Sequence, residues 1–212
     1  MTLQIASDLH LDQLTKYSNE KLVIPDGDVL ILAGDICNIC SIKKHTNFFK
    51  YLNKHFRKVI YVPGNHEFYT DDDIPIFDLE IKLLDFLKDF PNVVYLNNDT
   101  LYLRDYVITG TCLWWDAIEN PNKWFRMKIS NEEIKKMYIK GIECIQTATG
   151  QEQEKKHIIV THYPCTHDFK CKPDIWVSGH THKNFTELRT GVLHVSNQRK
   201  GEGFSSSVMV KI

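Results

Sequence analysis

No apolar run in the 212 residues comes near the roughly 20 that a membrane-spanning helix requires. Nor does the N-terminus join a cationic stretch to an apolar core, since Asp8 and His10 come too early for a secretory leader. These two absences predict a cytoplasmic chain with no membrane association. Net charge is equally scarce. The 26 basic and 27 acidic residues leave −1, so no overall field points to nucleic acid. Six cysteines are present, Cys37, Cys40, Cys112, Cys144, Cys165 and Cys171. With no secretion signal beside them they are expected as reduced thiols. Cys37 and Cys40 have a metal-ligand spacing, but no second pair completes a zinc site. Repeats and low-complexity segments are absent as well. This length fits one domain, 1–212, with a small lid around 114–130.

What the chain does have is an alternation of strand and helix signals, which marks the α/β class. Thr2 to Ala6 reads as a short strand, and Asp28 to Ala33 as one buried on both faces. Lys58 to Val62, Val93 to Leu96, Leu101 to Thr109, His157 to Thr161 and Asp174 to Val177 follow as strands. Phe185 to Leu188, Val192 to Val195 and Ser206 to Ile212 close the series. Between them, Ser41 can cap a helix to about His55. Ile76 to Phe90 shows helical spacing through Phe77, Ile81, Leu84 and Leu87, and Ser130 or Asn131 starts a helix to about Thr149. Leu11 to Lys21 reads as a loop, and Asp71-Asp72-Asp73 as a solvated acidic face.

Five strands finish in metal-capable residues: Ser7-Asp8-Leu9-His10, Ala33-Gly34-Asp35, Val62-Pro63-Gly64-Asn65-His66-Glu67, Val160-Thr161-His162 and Ser178-Gly179-His180-Thr181-His182. Alone, Asp-x-His or a single His at a strand end is more often structural, and Gly-His-Thr-His is a stronger signal. Together they read as one site. Asp8 and His10, at i and i+2, share one side of a strand end, and His180 and His182 repeat that spacing. Asp35 can bridge two cations, Asn65 offers a carbonyl oxygen and His162 a nitrogen. Seven candidate ligands exceed what one ion needs, whereas two divalent ions about 3.5–4 Å apart would use them. Such a pair suits phosphate-ester hydrolysis by in-line attack of a hydroxide held between the ions. His66 lies on the opposite phase to Asn65 and is assigned to the leaving group, as a proton donor or charge stabiliser. Manganese is the leading metal, with iron or zinc as alternatives.

The order Asp-x-His, Gly-Asp, Gly-Asn-His-Glu, a lone His and Gly-His-x-His resembles the calcineurin-like metallophosphoesterase superfamily. Here it is carried by Asp8/His10, Gly34/Asp35, Gly64 to Glu67, His162 and Gly179 to His182, and the resemblance covers the whole chain. It implies a four-layer α/β/β/α sandwich of mixed sheets and flanking helices, with metals at the carboxyl ends of the strands. It further implies one metal on Asp8, His10, Asp35 and His182, and a second on Asp35, Asn65, His162 and His180. His66 matches the family's catalytic histidine, and Glu67 a supporting group rather than a ligand. After Gly34-Asp35 the chain continues Ile36-Cys37-Asn38-Ile39-Cys40, where the protein Ser/Thr phosphatase branch carries Asp-Arg-Gly. The small cytosolic phosphoesterases are the nearer resemblance. Asn197-Gln198-Arg199-Lys200-Gly201 is similar to their Asn-Pro-Arg-Gly segment, with Gln198 in place of proline and Lys200 added.

The expected activity is therefore a metal-dependent phosphodiesterase on a small or nucleotide-like phosphate ester. A phosphomonoesterase or a nuclease could use the same site, although a nuclease would want a basic groove. A non-catalytic scaffold of the same fold would be expected to have lost ligands, and none is missing. Specificity should come from Leu11 to Asn19, Tyr69 to Asp73, Trp114 to Phe125 and Tyr163 to Cys171. Within these, Trp114, Trp115, Trp124 and Phe125 could wall a base or sugar. Lys123, Arg126 and Arg199 could meet phosphates.

Overall fold

The computed structural model describes residues 1–72, 74–114, 129–165 and 167–212. Its first sheet is ordered β11-β1-β2-β3-β4, from Met209–Lys211, Thr2–Ala6, Val29–Ala33, Lys58–Val62 and Val93–Tyr95. Strands β1 to β4 run parallel, and β11 pairs antiparallel with β1. The second sheet is ordered β5-β6-β7-β8-β10-β9, from Asp99–Tyr102, Tyr106–Thr111, Lys156–Thr161, Ile175–Val177, Val192–Ser196 and Phe185–Arg189. Its central strands β6, β7, β8 and β10 are parallel, with antiparallel edges.

The period-two alternation of a strand sorts side chains between layers. Val29, Ile31 and Ala33 of β2 face the second sheet, where they meet the layer of Ile108, Ile158 and Val160. Leu30 and Leu32 point the other way, into a cluster with Phe48, Phe49 and Leu52 of α2 (Thr46–His55) and Leu79 and Leu83 of α3 (Ile76–Leu87). On the far side, Ile159 and Trp176 pack with Ile142 and Ile145 of α4 (Asn131–Gly150). Helix, sheet, sheet and helix make the expected four layers. The short α1, Asn19–Leu22, and a 3-10 turn at Leu11–Gln13 occupy what reads as a loop. Ser130 caps α4 through a reciprocal box with Glu133, so that boundary follows from the sequence.

Three expectations are corrected. Leu101 to Thr109 is a hairpin rather than one strand, with Leu101 opposite Ile108. β4 and β5 consequently belong to different sheets. The helix placed from Ser41 begins as a 3-10 stretch, Ile39–His45, in which the Asn38 side chain accepts from the Cys40 amide. In α3, Leu79, Leu83 and Leu87 are buried, while Phe77 is 70% exposed and Ile81 and Leu84 also face out. This helix carries two apolar stripes, and periodicity alone cannot say which one meets the sheet. All six cysteines are free thiols. No described helix is long and apolar enough to cross a membrane.

Candidate metal centre

The carboxyl ends of β1, β2, β3, β7 and β8 converge, and the five singled-out segments meet there. Their backbone is unusual. Asp8, His10, Asp35, His180 and His182 all have positive φ, between 44° and 67°. Non-glycine residues adopt this left-handed region at a cost, and where it persists the surroundings hold it in place. Two glycines allow the close approach. A Cβ on Gly34 (φ 85°) would sit 2.4 Å from His162 Nδ1, and one on Gly64 would sit 2.2 Å from Asp35 Oδ1.

Asp8 and Asp35 are buried, and nitrogens surround them. His182 Nε2 lies 3.4 Å and His10 Nε2 4.0 Å from Asp8 Oδ1. Asp35 Oδ2 is 3.6 Å from His10 Nε2, and its Oδ1 is 3.4 Å from His162 Nε2. Asn65 Oδ1 is 3.1 Å from the same His162 nitrogen. Among the described residues, three groups therefore could hold a metal ion: Asp8–His10–His182, Asp8–Asp35–His162 and His10–Asp35–His66. His180 stands outside these triads, its ring 5.2 Å from that of His162 and packed 4.1 Å from Tyr163. His66, 31% exposed, places Nε2 3.9 Å from Asp35 Oδ2 at the open side.

The donors fit divalent cations. Among the described residues, buried Asp8 Oδ1 and His10 Nε2, 4.0 Å apart, have no hydrogen-bond partner. Orphaned buried polar atoms need a partner, and a cation between them supplies it. Burial pushes His10 and His180 down to about 4, so both present lone pairs at neutral pH. Burial also opposes protonation of His162, but the Asp35 charge wins and raises it to about 10. Without metal, the two carboxylates thus draw a proton onto the deepest histidine, which a bound cation would displace. Burial would raise the Asp35 carboxyl as well, yet His162, His66 and His10 hold it below the usual range.

Other side chains hold the candidate ligands still. The buried Glu67 accepts from the amides of Asp35 (2.9 Å), Gly64 (2.8 Å) and Ile36 (2.7 Å) and from the Tyr61 hydroxyl (2.9 Å). It ties the ends of β2 and β3 together. Burial and nearby Asp35 raise it to about 7. Asn65 Nδ2 donates to the Tyr69 hydroxyl at 2.6 Å, which leaves its Oδ1 toward His162. Asn38 Nδ2 donates to the His66 and Tyr69 carbonyls.

The residues expected to touch substrate fare differently. Trp114 is 2% exposed and packs between Phe68 and Tyr163, so it belongs to the core and not to a substrate wall. Trp115, Trp124 and Phe125, with Lys123 and Arg126, lie outside the described residues. Arg199 is half-buried, and its Nε donates to the Leu9 carbonyl. Sequence reasoning passed over Lys200. Its charge adds to burial in depressing both His10 and His66. The only signal for it was an insertion in a resembled segment.

Two stacked mixed sheets between helices, with Asp, Asn and His turns gathered at the strands' carboxyl ends, define an α/β sandwich with a candidate metal centre. The profile described as calcineurin-like phosphoesterase matches residues 1–184, and the chain belongs to that family of metal-dependent phosphoesterases. A curated relative from Acanthamoeba polyphaga mimivirus, "Uncharacterized protein L509", is 27% identical over 92% of this chain and 90% of its own. Among solved structures, the phosphopantetheinyl hydrolase of Mycobacterium tuberculosis superposes with a TM-score of 0.72 at 21% identity, covering 99% of this chain and 95% of that one. A dimetal phosphatase from Danio rerio does so at 0.54 and 12%, covering 95% and 88%. At such identities these two structures speak for the fold.

Proposed function

We propose that the protein is a two-metal phosphodiesterase acting on a small or nucleotide-like phosphate ester. The observation that carries this reading is the buried carboxylate of Asp35, shared by two of the candidate triads, its two oxygens turned to different histidines. Asp8, His10, Asp35 and His182 would hold one ion, and Asp35, Asn65, His162 and His180 the other, with manganese the leading candidate. Bound there, divalent cations supply Lewis acidity toward the phosphoryl oxygens and an activated water for in-line displacement.

The chain's own residues then orient and assist. Asp35 fixes the His66 backbone through Oδ1, which accepts the His66 N–H at 2.9 Å. The His66 ring, half open to solvent, faces the leaving group. Burial lowers its pKa in the ligand-free protein, and an approaching phosphate anion favours its protonated form. Lys200 meets the substrate's remaining negative charge. Replacing it (Lys200→Ala) should raise KM several-fold, more at low than at high salt, with kcat nearly unchanged. Steady-state kinetics at two ionic strengths measures this, and an unchanged KM would remove Lys200 from substrate binding.

The activity itself is tested with Mn²⁺ and bis-(p-nitrophenyl) phosphate beside the monoester, with a phosphopantetheinyl ester as a third substrate. Diester turnover well above that of the metal-stripped protein is expected. Turnover of the monoester alone would make the protein a phosphomonoesterase.

A further inference from the structure

The segment Asn197 to Arg199 touches two ligand turns from opposite ends of the chain. On one side it extends the first sheet beyond β1. The Ser7 amide donates to the Asn197 carbonyl at 2.9 Å, the Arg199 amide to the Ser7 carbonyl at 3.1 Å, and the Arg199 side chain to the Leu9 carbonyl. These bonds bracket Asp8 and lead to His10. On the other side the fully buried Gln198 enters the Gly-His-Thr-His turn. Its Oε1 accepts from the His182 amide. Its Nε2 faces Thr181 Oγ1 (3.1 Å), the Lys183 carbonyl (3.1 Å) and Ser196 Oγ (2.6 Å). Asn184 closes the arrangement, accepting from the Gln198 amide and donating to its carbonyl.

His182 needs such a brace. Asp8 and His10 are held by burial, whereas the His182 side chain is 43% exposed and its backbone sits at φ 54°. Little packing keeps its ring aimed at Asp8. A proline at position 198 would have neither an amide for Asn184 nor a side-chain acceptor for His182. The brace is therefore a feature of this chain's own sequence.

We propose that Gln198 is a positioning residue that sets how tightly the Asp8–His10–His182 position retains its metal. The inference rests on the two-metal reading above. It is tested by titrating the metal-free full-length protein with Mn²⁺ and counting bound ions and their affinities, with His182→Ala marking which step belongs to that position. Gln198→Met keeps length and volume but loses both polar ends. It should weaken that same step about 10–100-fold, the range for partners of metal ligands, and leave the other step unchanged. Two steps at wild-type affinity, or both weakened alike, would overturn the proposal. Amide exchange in the metal-free wild type needs no variant: the His182 N–H should be protected, and exchange at the rate of an open loop would equally refute the brace. A wild type that binds fewer than two ions has a different signature. It removes the two-metal reading, and this inference with it.

Discussion

Asp35→Asn should strip the protein of its paired metals and lower kcat/KM by about a thousandfold, some 4 kcal/mol of transition-state stabilisation. Its two oxygens face different histidines, His162 Nε2 at 3.4 Å and His10 Nε2 at 3.6 Å. An asparagine keeps the shape but replaces one oxygen with an amide nitrogen, which cannot ligate a cation. It also removes a full charge from a buried site, where charge interactions are little screened. Elemental analysis after dialysis against Mn²⁺ should find at most one ion. The metal-free variant provides an independent check. Asp35 sustains the proton on His162, against burial, at a pKa of about 10. Without that partner the His162 pKa must fall, and histidine NMR over pH 5–10 reads the change. Two retained ions with activity within tenfold of wild type would refute the bridging role.

His66→Ala should leave metal content intact and cut kcat by about 10²–10⁴, the range for a positioned acid or base. The ring is held from several sides, its centroid 4.5 Å from His10 and 4.6 Å from Tyr69, with the main chain tied to Asp35 and Asn38. Its Nε2, 3.9 Å from Asp35 Oδ2, nonetheless lies close enough to join a ligand triad. Two measurements separate the roles. A proton donor matters most for esters whose leaving group departs poorly as an anion, so the loss should be large for alkyl or nucleoside esters and much smaller for nitrophenyl esters. A metal ligand, by contrast, would lower bound Mn²⁺ and slow all substrates alike.

The candidate site was more legible in the sequence than the surface around it. Asp8, His10, Asp35, Asn65, His162 and His182 could be placed because each follows a short apolar strand, and parallel strands in a covered sheet end on one edge. That argument needs only local pattern and the direction of β-strands. Glu67 could be set apart as a supporting group, but nothing local shows that two of its four donors, the Asp35 and Ile36 amides, come from the end of another strand, β2. Trp114 looked like a substrate wall for the same reason that Phe77 looked buried. Both are apolar residues at plausible spacing, and neither spacing names the surface that will face it.

The sequence by itself determined the class of fold and the strand ends that carry the candidate ligands. Both follow from residue type and spacing along short stretches. Only the tertiary structure decided which stripe of α3 meets the sheet, that Trp114 turns inward, that Arg199 binds the Leu9 carbonyl, and that Gln198 links the first and last ligand turns. Those outcomes depend on contacts between residues as far apart as Leu9 and Arg199. Such contacts form only when the two sheets stack, and no local periodicity encodes them.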